Sequence, residues 1–540
     1  MVLAAAAGWE NSATNDEPEL LFAAAAAVKG RGLWVEEHLP VYRFVAGLPL
    51  LLLPLAEPEA DFTKVVANYP GAIHAFLHEN RVEPLWILRV ARLGMLIFLP
   101  ILAWGTYRLG EQAGGSQVGL FAALAVLSQP LVLGHAFLVH TDVPTAACWV
   151  WALVFSERFL AGEKRAWLGL GIWLGLALSA KQSSVFLLLF LVFRLLVAVL
   201  ERLPVRKGQA VASLLLALAT TYGLTALTVR QVGLEEEKLF IQLVTARFHG
   251  WDWLEDALFS LAELSVPAAH RLLGLAFVAW NSANSQGVNF FWGQLSSQGF
   301  FLYFPFALVA KLSTPFTVLW LAGVAGWRRR TPAARWCLVY AGLFLFAALG
   351  SSYNIGARHL LPIVPLLAVV ASCTWAGLAR WLQAAVLATL VAVPILAFPS
   401  YIAHFSLLSG GPWVREKLLS DSNLDWGQDW ARVAKLVKAK GWLPLFALYL
   451  GPDDPSGYGV PAANLLASGR IPEKGFVAVS SYAAVVGPAY LEYKGFRQNA
   501  AFVRRLLHHL QHCQHLATVG GTIKVFSCGV PIESGQRKRE

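Results

Sequence analysis

The sequence predicts an α-helical polytopic membrane protein with a small α/β domain outside the membrane, and three observations carry that reading. Apolar windows of about 16 to 20 residues recur along the first 400 positions, the length that crosses a bilayer as helix. Charged residues make up 14% of the 540 residues and hydrophobic ones 57%, against about 25% charge in a soluble domain. After position 400 the pattern changes to short β-branched runs alternating with amphipathic helical ones, as in a small α/β unit.

Ten candidate spans cover 85–106, 117–138, 143–160, 166–180, 184–201, 210–229, 302–325, 335–350, 359–378 and 382–399. The net charge is +10, and its basic clusters fall in alternate short loops: Arg108; Arg158, Lys164 and Arg165; Arg202, Arg206 and Lys207; Arg328, Arg329, Arg330 and Arg335; Arg380. Cytoplasmic loops carry such an excess, so the charge reads as topology and excludes nucleic acid as a partner. The opposite side then holds an outer loop 1–84, an outer loop 230–301 and a domain 400–540, separated by the membrane blocks 85–229 and 302–399.

Residues 1–20 contain no span, although this topology places them outside; either the first helix translocates its own short tail or a further span is expected before Asp16. The apolar run 41–55 contains Pro49 and Pro54 and reads as a helix lying in the interface, with Glu36, Glu37 and His38 beside it. The loop 230–301 reads as a lid over a membrane-facing cavity; its apolar stretch 254–280, broken by Pro267, reads as one amphipathic helix or two short ones. In the tail, 443–450, 475–481 and 523–530 read as strands, and 429–441 and 499–513 as helices. Cys513 and Cys528 could pair if the tail faces an oxidising compartment. His508, His509, His512 and His515 read as helix surface rather than a metal site.

Charges at the ends of the spans mark the chemistry. Asp142, Lys181 and Arg358 interrupt apolar runs, where a charge costs roughly 2.5–3.5 kcal/mol unless it snorkels or pairs. Asp16 and Glu17 precede an alanine-rich helix, where acids can be caps or catalysts. Asp142 with Glu17 could share one divalent cation, Mg2+ or Mn2+, because oxygen ligands suit both; an acid could instead deprotonate an acceptor. Lys181 and Arg358 could hold a phosphate whose lipid tail stays in the bilayer. Two readings follow from the residues: glycosyl transfer from a lipid-linked donor, or a transporter or flippase for a lipid-linked sugar or other anionic substrate.

Six segments, in order along the chain, separate these readings. NDEPELLFAAAAAVKGRGLW with HLPVYRFVAGLPLLLLPL, HTDVPTAACWVWAL, LGIWLGLALSAKQSSVFLL, FFWGQLSSQGFFLYFPFALVAKLSTP, YNIGARHLLPIVPLLAVV and SYIAHFSLLSGGPWVREKLLSDSNLDWGQDWARVAKLV resemble the family 39 glycosyltransferases of the GT-C superfamily, the group of protein O-mannosyltransferases and aminoarabinose transferases, and above all its uncharacterised bacterial members. The resemblance implies a GT-C type fold in a bacterial inner membrane. It also implies a polyprenyl-phosphate-linked sugar as donor and a lipid, polysaccharide or protein acceptor on the extracytoplasmic face. It maps the catalytic acid to Asp16 with Glu17 beside it, and the second acid to Asp142. It marks DSNLDWGQD, in which Asn423, Asp425, Trp426 and Gln428 would suit sugar or acceptor contact. The chain departs from the family in lacking the first span and in showing only Pro40 where a paired proline is common.

Overall fold

The computed structural model describes residues 1–530 apart from 33–38, 57, 59–61, 204, 249 and 285–286; Glu36, Glu37 and His38 lie outside the described residues. Each of the ten predicted spans contains helix, but 85–106, 117–138 and 302–325 are broken at 96–97, 128–129 and 312–313. Five helices are long and apolar enough to cross a membrane: Pro84–Gly114, Gln182–Leu200, Lys207–Thr228, Pro332–Leu349 and Ala357–Trp375. Ser116–Leu127 and Pro130–Ala136 form a sixth span, bent by 66°, if taken together. Ala166–Leu178, Thr314–Ala325 and Arg380–Leu396 are apolar but shorter. The protein is a multi-pass membrane protein.

Local chemistry sets the breaks. Pro130 has no N–H to continue the ladder and turns Gln129 to extended backbone (ψ 122°). The buried Gln129 amide closes the gap by donating to Ala125 O and accepting from Ser313 N. Ala166–Leu178 approaches Lys207–Thr228 through Gly171 and Gly175, where a Cβ would stand 2.8 Å from Ser213 O and 2.7 Å from Ala217 O. Small residues let membrane helices pack backbone to backbone. Asp142–Leu160 is buried on nearly every face and packs on Phe98–Gly114, Ala166–Leu178 and the turn Ala357–Ile363, so it forms the centre of the bundle.

The segment 41–55 is a helix, Pro40–Leu50. Loop 230–301 folds into three helices, Leu234–Thr245, Asp252–Leu264 and Val266–Ala283, and a hairpin of Asn289–Phe291 with Gln294–Ser296. The apolar stretch around Pro267 is thus two helices, the second carrying Pro267 in its first turn.

The tail holds a five-stranded mixed sheet in the order Ala462–Asn464, Leu445–Leu448, Gly475–Ser480, Ile523–Cys528, Gln514–Val519. The first three strands run parallel and the last two pairings are antiparallel. Along Gly475–Ser480, Phe476 and Ala478 face a core with Trp430 and Val433, while Val477 and Val479 face one with Phe502 and Leu506. This is the period-2 alternation of a sheet covered on both faces. Sequence reading missed the two edge strands: Ala462–Asn464 has three residues and Gln514–Val519 is mostly polar and exposed. Cys513 and Cys528 are joined as a disulfide.

Candidate active site

Four ionic side chains from distant parts of the chain meet at one end of the bundle. Asp142 opens its helix, two positions before Pro144. Its Oδ1 accepts from Lys181 Nζ at 2.5 Å, and its Oδ2 lies 2.8 Å from His140 Nδ1. Arg358 Nη1 donates to His140 Nε2 at 2.6 Å, and Nη2 lies 3.2 Å from Asp16 Oδ2. His140 Nε2 also lies 3.2 Å from Asp16 Oδ2, so the imidazole stands between both carboxylates and the guanidinium. His359 Nδ1 lies 3.2 Å from Lys181 Nζ. Exposure ranks their availability: the side chains of Asp16 and Lys181 are 26% and 14% exposed, those of Arg358 and Asp142 4% and 1%. Asp16, Lys181 and Arg358 all border a cavity, whereas Asp142 does not and holds the cations in place.

The Arg358 guanidinium is fixed from three sides. Its carbon lies 4.3 Å from the Trp426 ring centre, a cation–π contact. Its Nε donates to Ser422 Oγ at 3.1 Å, and that hydroxyl donates to Ile355 O at 2.6 Å. A Cβ on Gly356 would collide with the same oxygen, so only glycine admits the contact.

Asp16 is positioned by a buried knot beneath it. Arg92 and Glu17 are both fully buried and pair at 2.5 Å. Arg92 also donates to the carbonyls of Gly8, Asn11 and Ser12, and Glu17 accepts from the amides of Thr14 and Val139. Glu17 therefore leaves the cluster that Asp16 joins. The sequence expectation of Glu17 as catalyst or ligand meets a carboxylate whose oxygens are already committed. As a Mg2+ or Mn2+ pair, Asp142 and Glu17 do not fit: such ions take several oxygens at 2.0–2.6 Å, and the oxygens of both carboxylates face Lys181, His140 and Arg92.

A cavity of about 640 Å³ lies against the cluster. Asp16, His140, Lys181, Arg358 and His359 line its floor; Phe186, Phe344, Ala347, Ala348 and Leu360, at the ends of spans, line an apolar side. Val278, Asn281, Ser282 and Asn289 from loop 230–301 and Tyr482 and Tyr490 from the tail complete it. Of the segment 421–429, Trp426 and Asp421 line the cavity. Asn423 is spent on Ala357 N, Tyr303 Oη and Ser420 O. Asp425 accepts from Ser480 Oγ and the amides of Tyr482 and Gly427. Gln428 bonds Trp426 N and Leu424 O. Asn423 thus ties the segment to the bundle, Asp425 ties it to the tail's sheet and Gln428 braces its own turn, while Trp426 gives a face to Arg358. Sequence reading passed over His140 and His359 as ligands of the cluster, although both stand beside motif residues, and over Asp421 and the tyrosines, which carry no spacing signal.

Asp421 has a left-handed backbone, φ 58°, which costs a non-glycine residue about 1–3 kcal/mol. Burial pushes its carboxyl up to about 7, against the opposing pull of Arg358 and the Ser422 amide, and burial pushes Asp425 up to about 6 despite its three donors. Unfolded carboxyls titrate near 3.9, so the folded state holds these protons more tightly. Their stabilising contribution is full below about pH 4 and is lost as pH rises through about 6 to 7. The thermal midpoint is expected to fall between pH 5 and pH 8, and Asp421→Asn to flatten the upper part of that fall; a midpoint that rises over this range would contradict the assignment.

Residues 87–224 match the family model described as dolichyl-phosphate-mannose-protein mannosyltransferase. The matched segment is 138 of the 540 residues. No curated protein matches the chain. Among solved structures, it is similar to ArnT from Cupriavidus metallidurans bound to undecaprenyl phosphate, at 13% identity and a TM-score of 0.48 over 98% of this chain and 97% of that one. It is also similar to the Archaeoglobus fulgidus oligosaccharyltransferase in complex with zinc and sulfate, at 12% identity and 0.43 over 92% and 70%. The matched segment contains Asp142 and Lys181, while Asp16 and Arg358 lie outside it and join it through the fold.

Proposed function

We propose that this protein is an inverting glycosyltransferase that moves a sugar from a polyprenyl-phosphate carrier to an acceptor on the extracytoplasmic face of a bacterial inner membrane. One observation carries the reading: a half-buried carboxylate, Asp16, and two cations, Lys181 and Arg358, share the floor of a cavity whose adjoining side is apolar and built from span ends. An isoprenoid tail suits the apolar side, where Phe186 and Phe344 meet at 6.0 Å and Phe186 is exposed. The donor phosphate then sits at Lys181 and Arg358.

In the reaction, the acceptor hydroxyl or amine attacks the anomeric carbon from the face opposite the phosphate. Its proton passes to Asp16, the bond from carbon to phosphate oxygen breaks, and Lys181 and Arg358 take the developing charge. Asp142 and His140 keep both cations in register. No step passes through a metal ion.

Arg358→Ala is expected to weaken binding of polyprenyl phosphate by about tenfold or more, because a charge-assisted contact is lost. The check is equilibrium binding of a short-chain polyprenyl phosphate to purified protein in detergent; unchanged affinity would refute the phosphate assignment. For the side of the membrane, a cysteine placed at the exposed Ser468 is expected to react with a membrane-impermeant thiol reagent in intact cells. Reaction only after lysis would place the tail, and the site with it, on the cytoplasmic face.

A further inference from the structure

The wall of the cavity contributed by the tail carries polar groups that the reaction above does not use. Asp421, Tyr482 and Tyr490 line it, with Tyr353 from the segment before Arg358. Among the described residues, the Asp421 carboxylate has one hydrogen bond, from the Ser422 amide to Oδ1, and the hydroxyls of Tyr482 and Tyr490 have none. The wall is also rigid. Ser422 and Asn423 are pinned to Ile355, Arg358, Ala357 and Tyr303, and the Tyr482 amide is tied to Asp425. Such pinning holds Asp421 in its left-handed conformation, and strained backbone persists where the surroundings over-determine it.

Aromatic rings with free hydroxyls beside a carboxyl suit a ring that is apolar on its C–H face and hydroxylated at its edge. Above about pH 7 the Asp421 carboxyl is ionised, and a second negative charge beside it would be disfavoured because no cation is bonded to it. We propose that Asp421, Tyr482 and Tyr490, with Tyr353, form the subsite that selects a sugar ring bearing no negative charge. This rests on the phosphate reading of Lys181 and Arg358, since that reading places the sugar in this cavity. The ring is either the donor's sugar or a saccharide acceptor.

The experiment compares binding of four probes to the full-length protein in detergent: bare polyprenyl phosphate, polyprenyl-phosphate hexose, polyprenyl-phosphate uronic acid, and a methyl hexoside in the presence of polyprenyl phosphate. Asp421→Asn, whose side chain tolerates left-handed backbone, and Tyr482→Phe, which removes one oxygen, are measured beside wild type with their thermal midpoints as folding controls. Wild type is expected to bind the hexose probe at least about tenfold more tightly than the uronic acid probe, and Asp421→Asn to cut that preference to about threefold or less. If the donor's sugar occupies the subsite, both variants weaken the hexose donor and spare bare polyprenyl phosphate. If a saccharide acceptor does, they weaken the methyl hexoside alone, and the charge preference is then read with a methyl uronoside. Equal binding of neutral and acidic sugars in both formats, with bare polyprenyl phosphate still bound, overturns the subsite and leaves the phosphate reading standing. Failure to bind bare polyprenyl phosphate overturns both.

Discussion

Asp16→Asn is expected to purify as a folded protein and to transfer sugar at least about 100-fold more slowly than wild type, because a positioned general base contributes roughly 10²–10⁴-fold. The side chain is 26% exposed and faces Arg358 through Oδ2, so an amide of the same shape can keep a contact to Arg358 while losing basicity. Asp142→Asn is expected to lose activity and stability together. On sequence grounds both acids read as surface-side groups whose removal leaves the fold alone. The burial of Asp142 and its 2.5 Å contact to Lys181 change that for one of them. Removing one partner of a buried pair strands the other's charge. The measurement is transfer from a synthetic polyprenyl-phosphate sugar by purified protein, with thermal midpoints taken in parallel. Wild-type turnover in Asp16→Asn would remove it from the reaction.

The largest loss of stability is expected at Glu17. Glu17→Ala leaves Arg92 fully buried with its charge uncompensated, and breaking such a pair costs about 3–5 kcal/mol. The loop 8–16 is tied to the same guanidinium through three carbonyls, so activity should fall with the fold. Glu17→Ala with Arg92→Met should recover part of the thermal midpoint, since the double change buries no charge. A Glu17→Ala protein with an unchanged midpoint and lost activity would instead return Glu17 to the catalytic role that its place beside Asp16 first implied.

Much of the architecture was legible along the chain. The membrane helices, two of the three helices of loop 230–301 and three of the tail's five strands follow from runs of apolar side chains, because the period of those runs is a local property. The charges Asp142, Lys181 and Arg358 stood out because each interrupts such a run. The fate of Glu17 was not legible: its partner Arg92 lies 75 positions away in an amphipathic segment. Nor were the roles of Asn423, Asp425 and Gln428. A dense polar segment reads the same whether it meets a ligand or fastens two parts of the chain, and here it fastens the tail to the bundle.

The sequence by itself determined a membrane bundle with a C-terminal α/β domain, a resemblance to the family 39 glycosyltransferases that a family model matches over residues 87–224, and which charges stand where lipid would reject them. Hydropathy, period and motif are written in neighbouring residues, so they survive without a fold. Only the tertiary structure decided which acid meets the cavity and which is sealed in the fold. Asp16 and Glu17 are adjacent in sequence, yet one faces the cavity beside Arg358 and the other is sealed against Arg92. A carboxylate's chemistry depends on what solvates it, and partners brought from 75 to more than 300 residues away do that here.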